Sequence, residues 1–168
     1  MELVNQIKQD GIAKGLCREW QNKLKPGTSM ETLVTLFIRG IDFCVKNDFP
    51  TLEFMRTHFK GKCEPYGAFV DDVLEKRNAP DVILNGNCSA KLVYDGYSVC
   101  RAVVRHTSNA CVTVFGHACV TIDVFDCATL NLVVVGTQAK VLVYQYGNSR
   151  VNYNGSHAKI VIKNKNTY

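Results

Sequence analysis

The sequence predicts an α+β chain in which a small helical region, residues 1–61, is followed by a short transition, residues 62–80, and a β-solenoid, residues 81–168. Three observations support this prediction. Apolar residues recur at helical spacing in the first part, helix signals stop near residue 80, and strand-and-turn units about ten residues long then recur to the end. A chain of 168 residues is long enough for one core or for two small ones.

The helical region is predicted to contain three short helices. In the first, Leu16, Trp20 and Leu24 share one face. Thr28 and Glu31 have capping-box spacing, so a second helix is expected to begin there and to run to about residue 47. A third is expected from about residue 50 to the Lys-Gly-Lys sequence at 60–62.

The transition contains helix breakers and a pair of adjacent carboxylates. Pro65 and Gly67 interrupt any helix, and the segment 66–70 is compatible with a strand. Asp71 and Asp72 would point to opposite faces of such a strand, so they do not form a two-carboxylate site. We expect a solvated turn at this pair.

From residue 81 onward the chain repeats one pattern: a small residue, a variable one, an aliphatic, a variable one, another aliphatic, and then a turn. Because strand side chains alternate, the small residue and both aliphatics are expected to face the core. The eight units are AKLVY from Ala90, CRAVV from Cys100, ACVTV from Ala110, ACVTI from Ala118, ATLNL from Ala128, AKVLV from Ala139, SRVNY from Ser149 and AKIVI from Ala158.

A small residue at the same place in every unit favours a solenoid, because a bulky side chain at a tight corner would collide with the coils above and below. Two or three strands would form each coil, and successive coils would stack at the ~4.8 Å spacing of hydrogen-bonded strands. An antiparallel meander or sandwich is the alternative. Its support is three dipeptides typical of hairpin turns, Asn85-Gly86, Asp95-Gly96 and Asn154-Gly155.

Residues 81–164, with their alanine, variable, valine, variable, valine units and Gly or Asn turns, resemble short-repeat β-solenoid segments of uncharacterised bacterial and bacteriophage proteins. In the first half, CREWQNKL and GIDFCVKNDFP resemble the helical leaders of the same group. The resemblance implies the fold and an origin in a mobile element. It implies no activity.

The doubled stretch ACVTVFGHACVT places Cys111, His117 and Cys119 close together in the sequence and raises the question of a metal site. Zinc ligands usually occur as pairs two to four residues apart on a turn, whereas these residues lie in different repeat units, and both cysteines are expected to point outward. The chain also lacks a nucleophile elbow, a phosphate-binding loop and a dinucleotide fingerprint. We therefore predict no metal, no cofactor and no enzymatic activity; an enzyme with a Cys/His site is a less favoured alternative.

Cysteine usage and hydropathy indicate the cellular setting. The N-terminal sequence lacks the apolar core of a secretory signal, and no apolar run approaches the length of a membrane span. The eight cysteines are scattered over predicted helices and strands. We expect a cytoplasmic protein with reduced thiols and no membrane association.

Charge and outward apolar residues indicate where a partner would bind. Of the net charge of +5, residues 81–168 carry +4, and basic residues recur at outward positions of the repeats. The residues predicted to contact a partner are Lys140, Arg150, Lys159, Phe115, Phe125 and Tyr144. They indicate a non-enzymatic binding or assembly module that acts on a protein partner or by self-association, with nucleic-acid binding as the alternative.

Overall fold

The structure is a computed structural model that describes residues 2–155 and 157–168. The chain divides into a helical unit that ends at Tyr66 and a second unit, Gly67–Thr167. The described helices of the first unit are α1 (Leu3–Ala13), α2 (Arg18–Lys23), α3 (Met30–Arg39), α4 (Ile41–Asn47) and α5 (Leu52–His58), followed by a 3-10 turn at Glu64–Tyr66.

The prediction of three helices is wrong, because the described residues form five α-helices. Gly40 separates α3 from α4 within the second predicted helix. Its missing side chain leaves space for the Trp20 indole, which would lie 3.4 Å from a Cβ at this position. The N-cap of α3 is Ser29, whose hydroxyl accepts a hydrogen bond from the Thr32 N–H at 3.2 Å. Thr28 instead donates its hydroxyl proton to the Lys25 carbonyl.

The second unit is a parallel β-solenoid with two strands in each coil. Sheet A has the order β1-β3-β5-β7-β9-β11 and sheet B the order β2-β4-β6-β8-β10. Every pairing between neighbouring described strands is parallel, which confirms the solenoid and excludes the antiparallel meander. The strands are β1 (Ala68–Val70), β2 (Val73–Arg77), β3 (Asp81–Asn85), β4 (Ser89–Tyr94), β5 (Val99–Val104), β6 (Asn109–Val114), β7 (Cys119–Val124), β8 (Thr129–Val134), β9 (Lys140–Tyr146), β10 (Arg150–Gly155) and β11 (Ala158–Lys163).

The inward face predicted from the repeat is the core of the solenoid. In the first six repeat units every predicted inward residue is buried, and these side chains form one apolar cluster with Phe69, Val82 and Leu84. The small residues fall into two sets: Ala90 and Ala110 lie inside strands, whereas Ala118 and Ala139 lie at the corner before a strand. Relative to the start of the strand, the two sets differ by two positions. Because strand side chains alternate with a period of two, this offset leaves the predicted inward positions unchanged.

Tight corners let successive coils approach closely. Gly96 and Gly116 have positive φ values of 59° and 68°, which a residue without a Cβ adopts without strain. A Cβ on Gly116 would also lie 3.2 Å from the Gly96 backbone nitrogen in the coil above. These corners join sheet B to sheet A and set the coil length, which is 20 residues between Val99 and its paired residue Cys119.

The solenoid begins within the segment expected to be a transition. β1 pairs with β3, and β2 pairs with β4, so residues 68–77 form the first coil. The turn between β1 and β2 contains Asp71, with a positive φ of 48°, whose carboxylate accepts a hydrogen bond from the Asn87 N–H at 2.8 Å. A charged residue at an inward position obscures the alternation of β2. Lys76 pairs with the inward residue Leu92, and its ammonium lies over the Phe69 ring.

The structure predicts two classes of thiol. Cys44, Cys63, Cys88 and Cys100 are buried, and Cys17, Cys111, Cys119 and Cys127 are exposed. Burial also raises the pKa of Cys88 and Cys100, which lowers their thiolate fraction. We expect iodoacetamide to label the four exposed cysteines rapidly in the native protein and the other four only after denaturation, as followed by peptide mass spectrometry. Protection of Cys111 or Cys119 would contradict the strand register.

A candidate interaction surface on the last strands

Charge is unevenly distributed along the solenoid. Residues 67–126 contain seven acidic and five basic side chains, a net charge of −2. The last acidic residue of the chain is Asp126. Residues 127–168 carry a formal charge of +5, contributed by Lys140, Arg150, Lys159, Lys163 and Lys165.

The five cations of the earlier coils are all engaged within the solenoid. Four form ion pairs, which are Arg77 with Asp95, Lys91 with Glu75 at 3.0 Å, Arg101 with Asp81 at 2.9 Å, and Arg105 with Asp126 at 3.8 Å. Lys76 lies 5.7 Å from the Phe69 ring centroid.

Asp95 accepts hydrogen bonds from two neighbouring side chains. A hydrogen bond from the Asn78 amide, assisted by the Arg77 guanidinium, lowers the pKa of Asp95. The cations after Asp126, by contrast, form no ion pair with any described residue.

The last strands leave the end of the apolar core uncovered. β10 and β11 are edge strands of their sheets. Val151, Tyr153, Ala158 and Ile160 pack against the core but are only half-buried, and Ile162 is 69% exposed. The Ala158 N–H donates a 3.1 Å hydrogen bond to the Tyr153 hydroxyl and so links the two strands. We call the outer edge of β11, with Lys159, Ile160, Ile162 and Lys163, the terminal edge.

A shallow cavity of about 470 Å³ lies beside the terminal edge. The corner of residues 135–139, which connects β8 of sheet B to β9 of sheet A, forms one side of it. The space lies next to Thr137 and Ala139 of that corner. Lys140, His157 and Lys159 border this space, and we call it the basic notch.

The structure separates the six residues predicted to contact a partner. Lys140 and Lys159 both border the basic notch, whereas Arg150 begins β10 in the other sheet. Tyr144 lies half-buried in β9, with the Lys163 ammonium 5.1 Å from its ring centroid. Phe115 is a half-buried corner residue under the Arg77 guanidinium, 6.0 Å away.

The prediction that Phe125 is exposed is wrong. Phe125 is 0% exposed, and its ring stacks on Tyr146 of the next coil at a centroid distance of 4.4 Å. Phe125 lies just past the end of β7, where it no longer follows the alternation of the strand. Two consecutive side chains are therefore buried, Val124 at the end of β7 and Phe125 at the corner.

Three residues of this surface were missed by the sequence prediction: His157, Ile162 and Lys163. His157 was assigned only to a turn, and Ile162 was assigned to the core because its alternation is correct. Its exposure arises because β11 is an edge strand, which alternation cannot reveal. The sequence contains no Asp or Glu after Asp126, and this absence could have indicated that Lys163 has no acidic partner nearby in the chain.

The two cysteines of the doubled ACVT stretch lie in different sheets. Cys111 is in sheet B and Cys119 is in sheet A. His117, at the corner between them, stacks on Tyr97 at a centroid distance of 4.8 Å. Among the described residues, no three His, Cys, Asp or Glu side chains are grouped closely enough to hold a metal ion.

Comparison of the chain with protein-family models, with curated proteins and with solved structures gives no significant match. None of the helices in residues 2–155 and 157–168 combines the length and the apolar character needed to cross a bilayer.

Proposed function

We propose that the chain is a non-enzymatic binding and assembly module that captures an acidic polypeptide segment on the terminal edge of its solenoid. The observation that carries this proposal is the coincidence, on one edge strand, of an uncovered apolar core and cations without acidic partners. The proposal includes a reducing, cytoplasmic setting, which the eight free cysteines support.

β-Strand addition is the mode of binding that this edge supports. β11 pairs with β9 on one side, and its other side has no neighbouring strand in the described part of sheet A. An added strand would satisfy the backbone groups of β11 and cover the apolar end of the core. Because side chains alternate, Ile160 and Ile162 would meet one face of the added strand, and Lys159 and Lys163 the other.

The preferred partner is therefore a segment in which apolar and acidic residues alternate. Apolar side chains would pack over Ile160 and Ile162, and carboxylates on the opposite face would meet Lys159 and Lys163. The basic notch extends this positive surface through Lys140 and His157. Each exposed ion pair contributes up to about 1 kcal/mol, so charge would set specificity while backbone pairing and apolar burial supply most of the affinity.

A foreign partner is favoured over a second copy of the chain. Pairing of two terminal edges would bring like charges together, and lysines on an edge strand oppose such self-pairing. At the other end of sheet A, the residues of β1 are at most 2% exposed. β1 therefore presents almost no exposed surface for head-to-tail stacking.

The test is the binding of a fluorescent ten-residue peptide in which Asp and Val alternate, measured by anisotropy, with a peptide of the same composition in scrambled order as reference. We expect the alternating peptide to bind more tightly. Lys159→Glu combined with Lys163→Glu should weaken its binding about ten-fold, because two contacts change from attraction to repulsion at about 0.5–1 kcal/mol each. Arg150→Glu is the control for a charge reversal in the other sheet.

Two outcomes would contradict strand addition: equal binding of both peptides, and equal loss of binding in Arg150→Glu and in the double variant. Binding of a single-stranded RNA that is weakened by changing Lys140, Arg150 and Lys159 together to Glu, with no binding of the peptide, would favour the nucleic-acid alternative. Light scattering that shows a defined oligomer lost on Ile162→Asp would favour self-association.

A further inference from the structure

The helical unit contains a cavity of about 350 Å³ whose walls are mostly apolar. Its lining comes from α1, α3, α4 and the segments around them, and includes Leu16, Leu33, Phe37, Phe43, Phe49 and Phe59. Phe43 and Phe49 hold each other edge to face at a centroid distance of 5.8 Å. Gly11 allows this close packing, because a Cβ there would lie 2.9 Å from Leu16 and 3.1 Å from Phe49.

Trp20 of α2 forms part of the cavity wall and is held in place by its neighbours. Its indole packs beside Gly40, and the Lys23 ammonium lies 4.6 Å from the ring centroid. Lys23 in turn forms a 2.7 Å ion pair with Glu19. α2 itself contains no buried residue, so a small displacement of this helix would widen the cavity at little cost in buried apolar area.

The polar part of the lining favours an uncharged ligand. Arg39 and Asp42 contribute one charge of each sign, so the cavity offers no net charge to an ionic ligand. The remaining walls would remove water from a charged group without replacing its hydrogen bonds, which is costly. A cavity of about 150 Å³ accommodates benzene, so a volume more than twice as large suits roughly a dozen non-hydrogen atoms.

We propose that the helical unit binds an uncharged apolar molecule of about a dozen non-hydrogen atoms, such as a medium-length alkyl chain, in the cavity bordered by Trp20, Phe37 and Phe43. This binding is independent of the role proposed for the solenoid. The ligand would lie along the aromatic side chains, with one end near α2.

Trp20 reports on this site directly, because it is the only tryptophan of the chain. The experiment titrates the full chain with 1-decanol and follows tryptophan emission. We expect a saturable blue shift, because the alkyl chain replaces water beside the indole. Butan-1-ol at equal concentration should produce no saturable shift, and decanoate should bind more weakly than 1-decanol because its carboxylate is charged.

A second measurement does not depend on any substitution. Cys17 is exposed and borders the cavity, whereas Cys111 is exposed on the solenoid. Bound 1-decanol should slow the alkylation of Cys17 by iodoacetamide and leave the rate at Cys111 unchanged. Equal slowing at both cysteines would indicate a non-specific effect and would overturn the proposal.

Leu36→Phe narrows the cavity, because Leu36 is a half-buried lining residue, and Val99→Phe is the control on an exposed solenoid position. Leu36→Phe should weaken the decanol response several-fold, and Val99→Phe should retain it. The proposal is overturned if 1-decanol changes neither Trp20 emission nor Cys17 alkylation in the unmodified protein. An identical response in folded Leu36→Phe would also overturn it.

Discussion

A single alanine inserted between Leu130 and Asn131 should prevent the solenoid from folding. The insertion moves the following side chains of β8 to the opposite face, so Asn131 would point into the core and Leu132 to solvent. Asn131 would also lose its side-chain hydrogen bonds to Asn109, at 3.0 Å, and Asn152, at 2.9 Å. The combined cost is roughly 5 kcal/mol or more, comparable with the total stability of about 5–15 kcal/mol of a typical domain.

The matched control is the same insertion between Thr137 and Gln138, two exposed residues of a corner. That corner, residues 135–139, is already one residue longer than the preceding corner, residues 115–118. Lengthening a surface connection by one residue costs less than about 1 kcal/mol. Far-UV circular dichroism and urea unfolding distinguish the two variants. A cooperative transition of unchanged midpoint in the strand insertion would contradict the alternation on which the solenoid rests.

The second large effect is expected from Leu132→Ala, which should lower the free energy of unfolding by about 2–5 kcal/mol because it leaves a cavity in the close-packed core. Leu132 is 1% exposed and lies in β8 of sheet B, which pairs with β6 on one side and with β10 on the other. Its neighbour Val133 is 40% exposed on the outer face of the same strand. Val133→Ala should therefore cost less than about 1 kcal/mol.

Urea denaturation measures both losses, provided that the dependence of the free energy on urea concentration is the same in each variant. Equal losses of unfolding free energy in Leu132→Ala and Val133→Ala would contradict the assignment of one face of β8 to the core and the other to solvent. A loss in Leu132→Ala below that in Val133→Ala would reverse the assigned orientation of the sheet.

Much of the solenoid follows from local properties of the sequence. Alternation with a period of two assigned the inward positions of the first six repeat units correctly, even where the repeat was aligned two residues out of step, as between Ala110 and Ala118. The small residues likewise indicated tight corners and hence a solenoid. The first coil was missed because Glu75, Lys76 and Arg77 hide the alternation of β2.

The candidate surface was only partly predictable. Basic residues and their outward direction were visible in the sequence, and Lys140 and Lys159 do border one notch. Arg150 lies in sheet B, whereas Lys140 and Lys159 lie in sheet A, because each coil has two strands. The number of strands in a coil depends on where the chain turns, which the repeat pattern left open. The cavity beside Trp20 is formed by helices whose packing no local pattern specifies.

The sequence by itself thus determined that helices are followed by a repeat of strands, which residues of the first six repeat units face inward, and the loss of acidic residues after Asp126. Only the tertiary structure decided which residues become neighbours. Stacked side chains such as Val99 and Cys119 are 20 residues apart in the chain. Their alignment depends on the path of every corner between them. Phe125 is buried because Tyr146 of the next coil stacks on it, and Ile162 is exposed because β11 is the last strand of its sheet.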